Sequence, residues 1–230
     1  MRARMRPVLL VTGFGPFPGV PFNVSAALVD YLASSAARIQ AELHTAILPT
    51  HWRDGPHIAA SKIREVRPDA VIHFGVSRRA GGFQFETRSY NQCARLADCA
   101  GTSADGFYLR RSGPPLLHAT LAASALIRRL RLAGLPAYHS SDAGRYLCNA
   151  TLYSSLHEAE SLPERDRPQV GFIHIPALPS ASSNSEAGRF GWLELQRGAV
   201  EILQGLASSL RTPSHRTGRA APNRIKAGSI

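Results

Sequence analysis

Short apolar runs alternate with longer amphipathic stretches along this chain. Five short segments, Val8–Thr12, Leu43–Leu48, Ala70–Phe74, Ala137–Ser140 and Val170–Ile175, read as strands, and the unbroken apolar character of Val71–Ile72 and Val170–Ile175 suits burial on both faces. Between them, Ser25–Ala37, Pro56–Val66, Leu117–Leu132, Asn149–Glu160 and Glu186–Leu210 carry apolar residues at helical spacing. Ser25 can cap the first of these helices, and Gly134 stops the third. Strands alternating with helices predict an α/β fold with a largely parallel sheet. Residues 83–110 break the rhythm: Phe83, Phe85, Tyr90 and Asn91 predict a hairpin or structured excursion. From Thr212 the chain is rich in Pro, Gly, Ser and Arg, a composition that predicts disorder. A single catalytic domain over residues 1–210 and a basic tail over 211–230 are therefore expected. No internal repeat is visible.

Length and charge narrow the picture. A chain of 230 residues fits one domain with a substantial core. Its apolar runs fall far short of the ~20 residues that cross a membrane. Arg2, Arg4 and Arg6 precede an apolar run as in a signal peptide, but Gly13–Phe14–Gly15–Pro16 interrupts it too early. A cytoplasmic protein with no membrane partner is expected. The net charge of +11 invites a nucleic-acid reading. However, residues 1–6 and 211–230 hold eight basic residues and no acid, leaving +3 on the body. The excess sits on the ends, so nucleic acid is not the expected partner. Three cysteines without a CxxC pair, and no HExxH, give no basis for a disulfide framework or a zinc site, and the odd number leaves at least one free thiol in a monomer.

In open α/β sheets, ligands gather beyond the carboxyl ends of the strands. The segment Thr12-Gly13-Phe14-Gly15-Pro16-Phe17-Pro18 follows the first strand. It lacks the third glycine of a dinucleotide loop, and Pro16 and Pro18 remove N–H donors a phosphate would need. Phe14 and Phe17 are compatible either with local turn packing or with an apolar wall beside the sheet's active edge. Cys148 falls at or near a helix N-terminus, where the dipole and free N–H groups favour a thiolate and can hold an oxyanion; a buried structural cysteine fits the position as well. His174 ends a hydrophobic strand, as a satisfied core histidine or as the base for Cys148. Glu86 lies among Phe83, Phe85 and Tyr90, either on a hairpin surface or as a buried acid needing an imidazolium partner.

Four segments together resemble a known family. GFGPFPGVPFN, ending at Asn23, is similar to the N-terminal signature of pyroglutamyl peptidase I (pyrrolidone-carboxylate peptidase). Glu86–Asn91 resembles the segment around that family's catalytic glutamate. Ala143–Tyr153, AGRYLCNATLY, resembles the nucleophile segment, and Gly171–Pro179 the segment of the catalytic histidine. They occur in the family's order, with compatible spacing. The resemblance implies a phosphorylase/hydrolase-like three-layer α/β/α protein, homo-oligomeric as a tetramer or dimer, without metal or cofactor. It implies a cysteine peptidase that removes pyroglutamate from peptides with a blocked N-terminus. Cys148 would be the nucleophile, His174 the base and then the acid, and Glu86 the residue that orients the imidazole. Phe14 and Phe17 would sandwich the lactam ring, with Asn23, Tyr146 and Leu147 completing the pocket. Val76 stands where the family has a pocket glutamine, so a hydrogen bond to the lactam is expected to be missing. Arg95 matches an arginine near the oxyanion only with a one-residue shift. A hydrolase for another small N-acyl or cyclic group, or a non-enzymatic binding module, are the alternatives.

Overall fold

The computed structural model describes residues 6–17, 19–178 and 190–211. Six strands form the main sheet: β1 (Val8–Phe14), β2 (Glu42–Leu48), β3 (Ala70–Ser77), β4 (Phe83–Glu86), β7 (Ala137–Ser140) and β8 (Gln169–Pro176), in the order β2-β1-β3-β8-β4-β7. Four of the five neighbouring pairs are parallel, and only β4 against β8 is antiparallel. A separate ribbon pairs β5 (Arg88–Tyr90) with β6 (Leu116–His118).

Side chains alternate across each strand, and the two faces collect two cores. Leu9, Val11, Ile72, Phe74, Phe83, Phe85, Ile173 and Ile175 face one side, under α1 (Val24–Ser34), α3 (Ala123–Leu132) and α5 (Trp192–Arg211). Leu10, Val71, Val170 and Phe172 face the other, under α2 (Asp54–Val66) and α4 (Leu147–Ser161). This three-layer α/β/α arrangement agrees with the class expected from the sequence.

Three expectations need correction. The helix expected over Leu117–Leu132 begins only at Ala123. Leu117 instead pairs with Ser89 in the ribbon and is buried in the α2–α4 core, while the N–H groups of Thr120 and Leu121 donate to the Val170 carbonyl. Asn23, rather than Ser25, caps α1: its Oδ1 accepts from the Ser25 N–H at 3.1 Å. The helix expected from Glu186 begins at Trp192, and residues 186–189 lie outside the described residues.

On the α4 side, His73 of β3 is wholly buried. Its Nδ1 lies 2.7 Å from Thr12 Oγ1 and its Nε2 3.0 Å from Ser155 Oγ, tying β1, β3 and α4 together. Burial lowers its pKa to about 3, so the ring is neutral in the fold.

Candidate active site

Strand parity delivers the site. On β4, Phe83 and Phe85 point into the α1–α3–α5 core, so Gln84 and Glu86 point toward α4. On β8, Ile173 and Ile175 take the first side, and Phe172 and His174 take the α4 side. The antiparallel register sets Gln84 opposite His174 and Glu86 opposite Phe172. Glu86 Oε1 is therefore 2.8 Å from His174 Nδ1, with both side chains buried. Gln84 Nε2 donates to the same oxygen at 2.7 Å. A carboxylate only accepts, which orients the amide and leaves Gln84 Oε1 available.

α4 supplies the third group. The loop before it is held by Asp142, whose Oδ1 accepts from the Gly144 N–H at 3.0 Å and pairs with Arg145 Nη1 at 2.5 Å. Gly144 sits at φ +79°, the left-handed region that favours glycine. Arg145 stacks 3.8 Å over the Tyr90 ring and donates to Gln92 Oε1. Asn149 is buried and clamps β5, exchanging hydrogen bonds with the Tyr90 backbone at 2.8 Å in both directions. With these restraints Tyr146 is the N-cap residue and Cys148 lies in the first turn of α4, whose N-terminus has no side-chain cap. The first N–H groups of the helix are thus free to bind an anion.

Cys148 meets His174 over Gly75, where a Cβ would sit 3.3 Å from Cys148 Sγ and only 2.5 Å from the Phe172 ring. Glycine is required here because any side chain would collide with the Phe172 ring and crowd the thiol. Burial disfavours a charged His174. The charge and hydrogen bond of Cys148, followed by those of Glu86, outweigh it and raise the imidazole to about 10. The ring is therefore held protonated between Cys148 and Glu86. Cys93 is different: it is buried, its Sγ donates to the Gly106 carbonyl at 3.1 Å, and burial pushes its thiol up. Cys99 is exposed.

A cavity of about 710 Å³ opens onto the pair, within the ordinary range for small-molecule sites. Of the residues expected there, Phe14, Phe17, Asn23, Val76, Tyr146 and Leu147 all line it, together with Cys148 and His174. Their parts differ. Asn23 spends its side chain on the loop, Nδ2 donating to the Gly15 carbonyl at 2.8 Å and Oδ1 accepting from Ser25 Oγ at 2.8 Å. Ser25 Oγ in turn accepts from the Phe14 N–H at 3.0 Å, and Thr50 Oγ1 donates to the Pro16 carbonyl at 2.5 Å. Asn23 thus shapes the phenylalanine loop. Tyr146 packs edge-on against Trp52, and its hydroxyl donates to the Ala97 carbonyl. Val76 borders the cavity but packs against the α1–α3–α5 core.

Arg95 does not join them. It is exposed and absent from the cavity lining. Asn91 is pinned to the Arg110 and Gly113 carbonyls, and Ala94 N–H donates to the Arg145 carbonyl. Sequence reasoning missed Gln84, Thr50, Arg78 and Arg79, which also line the cavity. Gln84 was legible from its place two residues before Glu86 on a strand.

Comparison with known proteins decides the family. The pyroglutamyl peptidase family model matches residues 7–198.

The chain belongs to the pyroglutamyl peptidase family.

It is accordingly a cysteine-type peptidase. A pyrrolidone-carboxylate peptidase of Mycobacterium tuberculosis is 30% identical over 209 residues, covering 88% of this chain and 92% of the relative. One from Streptococcus suis is 32% identical over 172 residues, covering 74% and 78%. The crystal structure of pyrrolidone carboxyl peptidase from Thermus thermophilus superposes with a TM-score of 0.73 at 29% identity, covering 86% of this chain and 99% of that one. That of Bacillus amyloliquefaciens pyroglutamyl peptidase I, at 24% identity, shares the fold with a TM-score of 0.78, covering 88% and 97%.

Proposed function

We propose that this peptidase removes an N-terminal pyroglutamyl residue through a thioester on Cys148. The observation that carries the proposal is the convergence of Cys148, His174 and Glu86 beside a cavity walled by Phe14 and Phe17. The lactam ring is flat and uncharged, and two phenylalanines and Leu147 offer it apolar surface. Gln84 supplies the amide that Val76 cannot: its Oε1 can accept from the lactam N–H.

Cys148 Sγ attacks the pyroglutamyl carbonyl carbon, and the carbonyl electron pair moves to oxygen, which the N–H groups at the start of α4 stabilise. The oxyanion collapses, the C–N bond breaks, and His174 donates its proton to the departing amine. Water then attacks the thioester, giving its proton to His174. The C–S bond breaks, pyroglutamate leaves, and the thiolate–imidazolium pair is restored. Glu86 holds the imidazole in place and stabilises its charge.

The proposal includes a homo-oligomeric, cytoplasmic enzyme working without metal or cofactor. Exposed Leu132 and Leu193 offer apolar surface to a second copy. No helix among the described residues is long and apolar enough to cross a membrane, and none of their His, Cys, Asp and Glu side chains cluster as a metal site.

A chromogenic pyroglutamyl amide assayed beside prolyl and glutaminyl amides tests the substrate. Only the first should be cleaved, and Cys148→Ala should abolish turnover, a loss on the order of 10⁶ in rate. Iodoacetamide mapping at pH 7 should label Cys148 well before exposed Cys99 and buried Cys93. Equal labelling of Cys148 and Cys99, or an active Cys148→Ala, refutes the mechanism.

A further inference from the structure

The cavity extends past what a lactam ring fills, and its outer part is basic. At the end of β3 the chain runs Ser77-Arg78-Arg79, and all three residues line the cavity with His174 and Gln84. Both arginines are exposed, and among the described residues neither guanidinium makes an ion pair. Among the described residues the cavity's one acidic lining residue, Asp142, is already engaged by Arg145 at 2.5 Å. The described lining therefore presents two positive charges without an ion-pair partner and no free negative one.

Their position follows from register. Gly75 lies opposite His174 in the β3–β8 pair and beneath Cys148 Sγ, so it marks the reacting carbon. Arg78 is three residues farther along, in the turn that Ala80 N–H closes onto the Ser77 carbonyl, so it lies within about 10 Å at a strand's rise of ~3.3 Å per residue. A peptide leaving group covers that distance in two to three residues, and a guanidinium reaching back shortens it. Phe14, at the end of β1, and Phe17, on the loop that follows, are the apolar wall of the acyl pocket, which leaves the arginines to face the leaving peptide. Guanidinium groups match carboxylates in geometry and charge.

Building on the proposed pyroglutamyl specificity, we infer that Arg78 and Arg79 form a subsite for a carboxylate carried one or two residues beyond the scissile bond. Two sources share that chemistry: an acidic side chain, and the C-terminal carboxylate of a very short peptide. The subsite acts on the leaving peptide and takes no part in bond breaking, so it shows in KM more than in kcat.

The experiment compares kcat/KM for pyroglutamyl-Glu-Ala amide, pyroglutamyl-Gln-Ala amide, and pyroglutamyl-Ala as free acid and as amide. The acidic member of each pair should be favoured by about three- to tenfold at low salt, as suits partly exposed charges. The preference should shrink at 0.5 M NaCl, where screening shortens to a few ångströms, and approach unity in the Arg78→Gln/Arg79→Gln double variant. Preference in the first pair alone assigns the subsite to acidic side chains, and in the second pair alone to the terminal carboxylate. Equal cleavage within both pairs, or a preference that survives the double variant and salt, overturns the subsite while leaving pyroglutamyl specificity intact. Failure to cleave any of the four overturns the proposed function, and the subsite with it.

Discussion

The pairing of His174 with Glu86 sets how far into alkali the site can work. His174 is raised to about 10 because its electrostatic and hydrogen-bonding interactions with Cys148 and Glu86 outweigh its burial. A raised histidine keeps its proton below its ordinary value of about 6.5 and loses it only as pH climbs through the raised one, taking away the acid that the leaving amine needs. Replacing Glu86 by Gln removes one of the two charges. The alkaline limb of kcat/KM should then move to lower pH, and kcat should fall by about 10²–10⁴ as for comparable triad acids, with the fold intact by circular dichroism. An unmoved alkaline limb would show that Glu86 does not govern the imidazole. Gln84 belongs to the same scale. With Nε2 committed to Glu86 at 2.7 Å, its Oε1 is the free amide oxygen on the catalytic face of β4. Gln84→Leu keeps the bulk and removes the acceptor, and KM for pyroglutamyl amides should rise about tenfold, equivalent to one hydrogen bond of ~1.4 kcal/mol. Val76→Gln, by contrast, should change KM by less than about twofold, because that side chain packs on the opposite core. A large gain from Val76→Gln would mean that the lactam lies nearer β3.

The elements show what local pattern can and cannot convey. β1, β2, β3, β7 and β8 were legible because their apolar character is continuous or bounded by turns, and burial follows from it directly in β1, β3 and β8, whereas β2 and β7, at the sheet's two edges, stay largely half-buried or exposed. Phe83-Gln84-Phe85-Glu86 alternates with a period of two, which reveals a strand but not its partners. That β4 slots antiparallel beside β8 is a long-range choice, and it brings Glu86 to His174. The cavity-lining residues were likewise legible as types in order, whereas the hydrogen bonds that commit Asn23 to the phenylalanine loop, and the packing of Val76 on the α1–α3–α5 core, depend on contacts that sequence periodicity does not encode. His73 exemplifies a buried polar element that only the fold explains. Burial keeps the ring neutral between Thr12 and Ser155, and its pKa of about 3 lies below the ordinary value of about 6.5. The unfolded chain therefore binds a proton that the folded one refuses between these limits. Stability should be full above about pH 6.5 and fall as pH drops toward 3, by an amount on the order of a few kcal/mol. Urea melts at pH 7 and pH 4.5 check this. His73→Gln, which retains hydrogen bonding without titrating, should show a smaller difference between the two pH values than the wild type.

At the scale of the whole molecule, charge and chemistry separate. The protein carries +11, yet eight basic residues sit in residues 1–6 and 211–230, where there is no acid. The residues lining the cavity run from Phe14 to Ala177, and the family match ends at residue 198. The last described residue, Arg211, closes α5 with a hydrogen bond to Gln40, on the chain leading into β2 at the sheet's edge, while the catalytic pair lies over β3, β8 and β4. At physiological ionic strength a charge is screened within about 8 Å, so cations borne after Arg211 act on Cys148 and His174 only if they reach the cavity itself. Truncation after Arg211 removes Arg216, Arg219, Arg224 and Lys226. It should leave kcat/KM for a neutral pyroglutamyl amide within about twofold, while weakening salt-sensitive retention on a polyanion column. Arg78 and Arg79 remain in that truncated protein, so a carboxylate preference should survive the deletion. A loss of kcat/KM well beyond twofold would instead place part of residues 212–230 against the cavity or against a neighbouring copy.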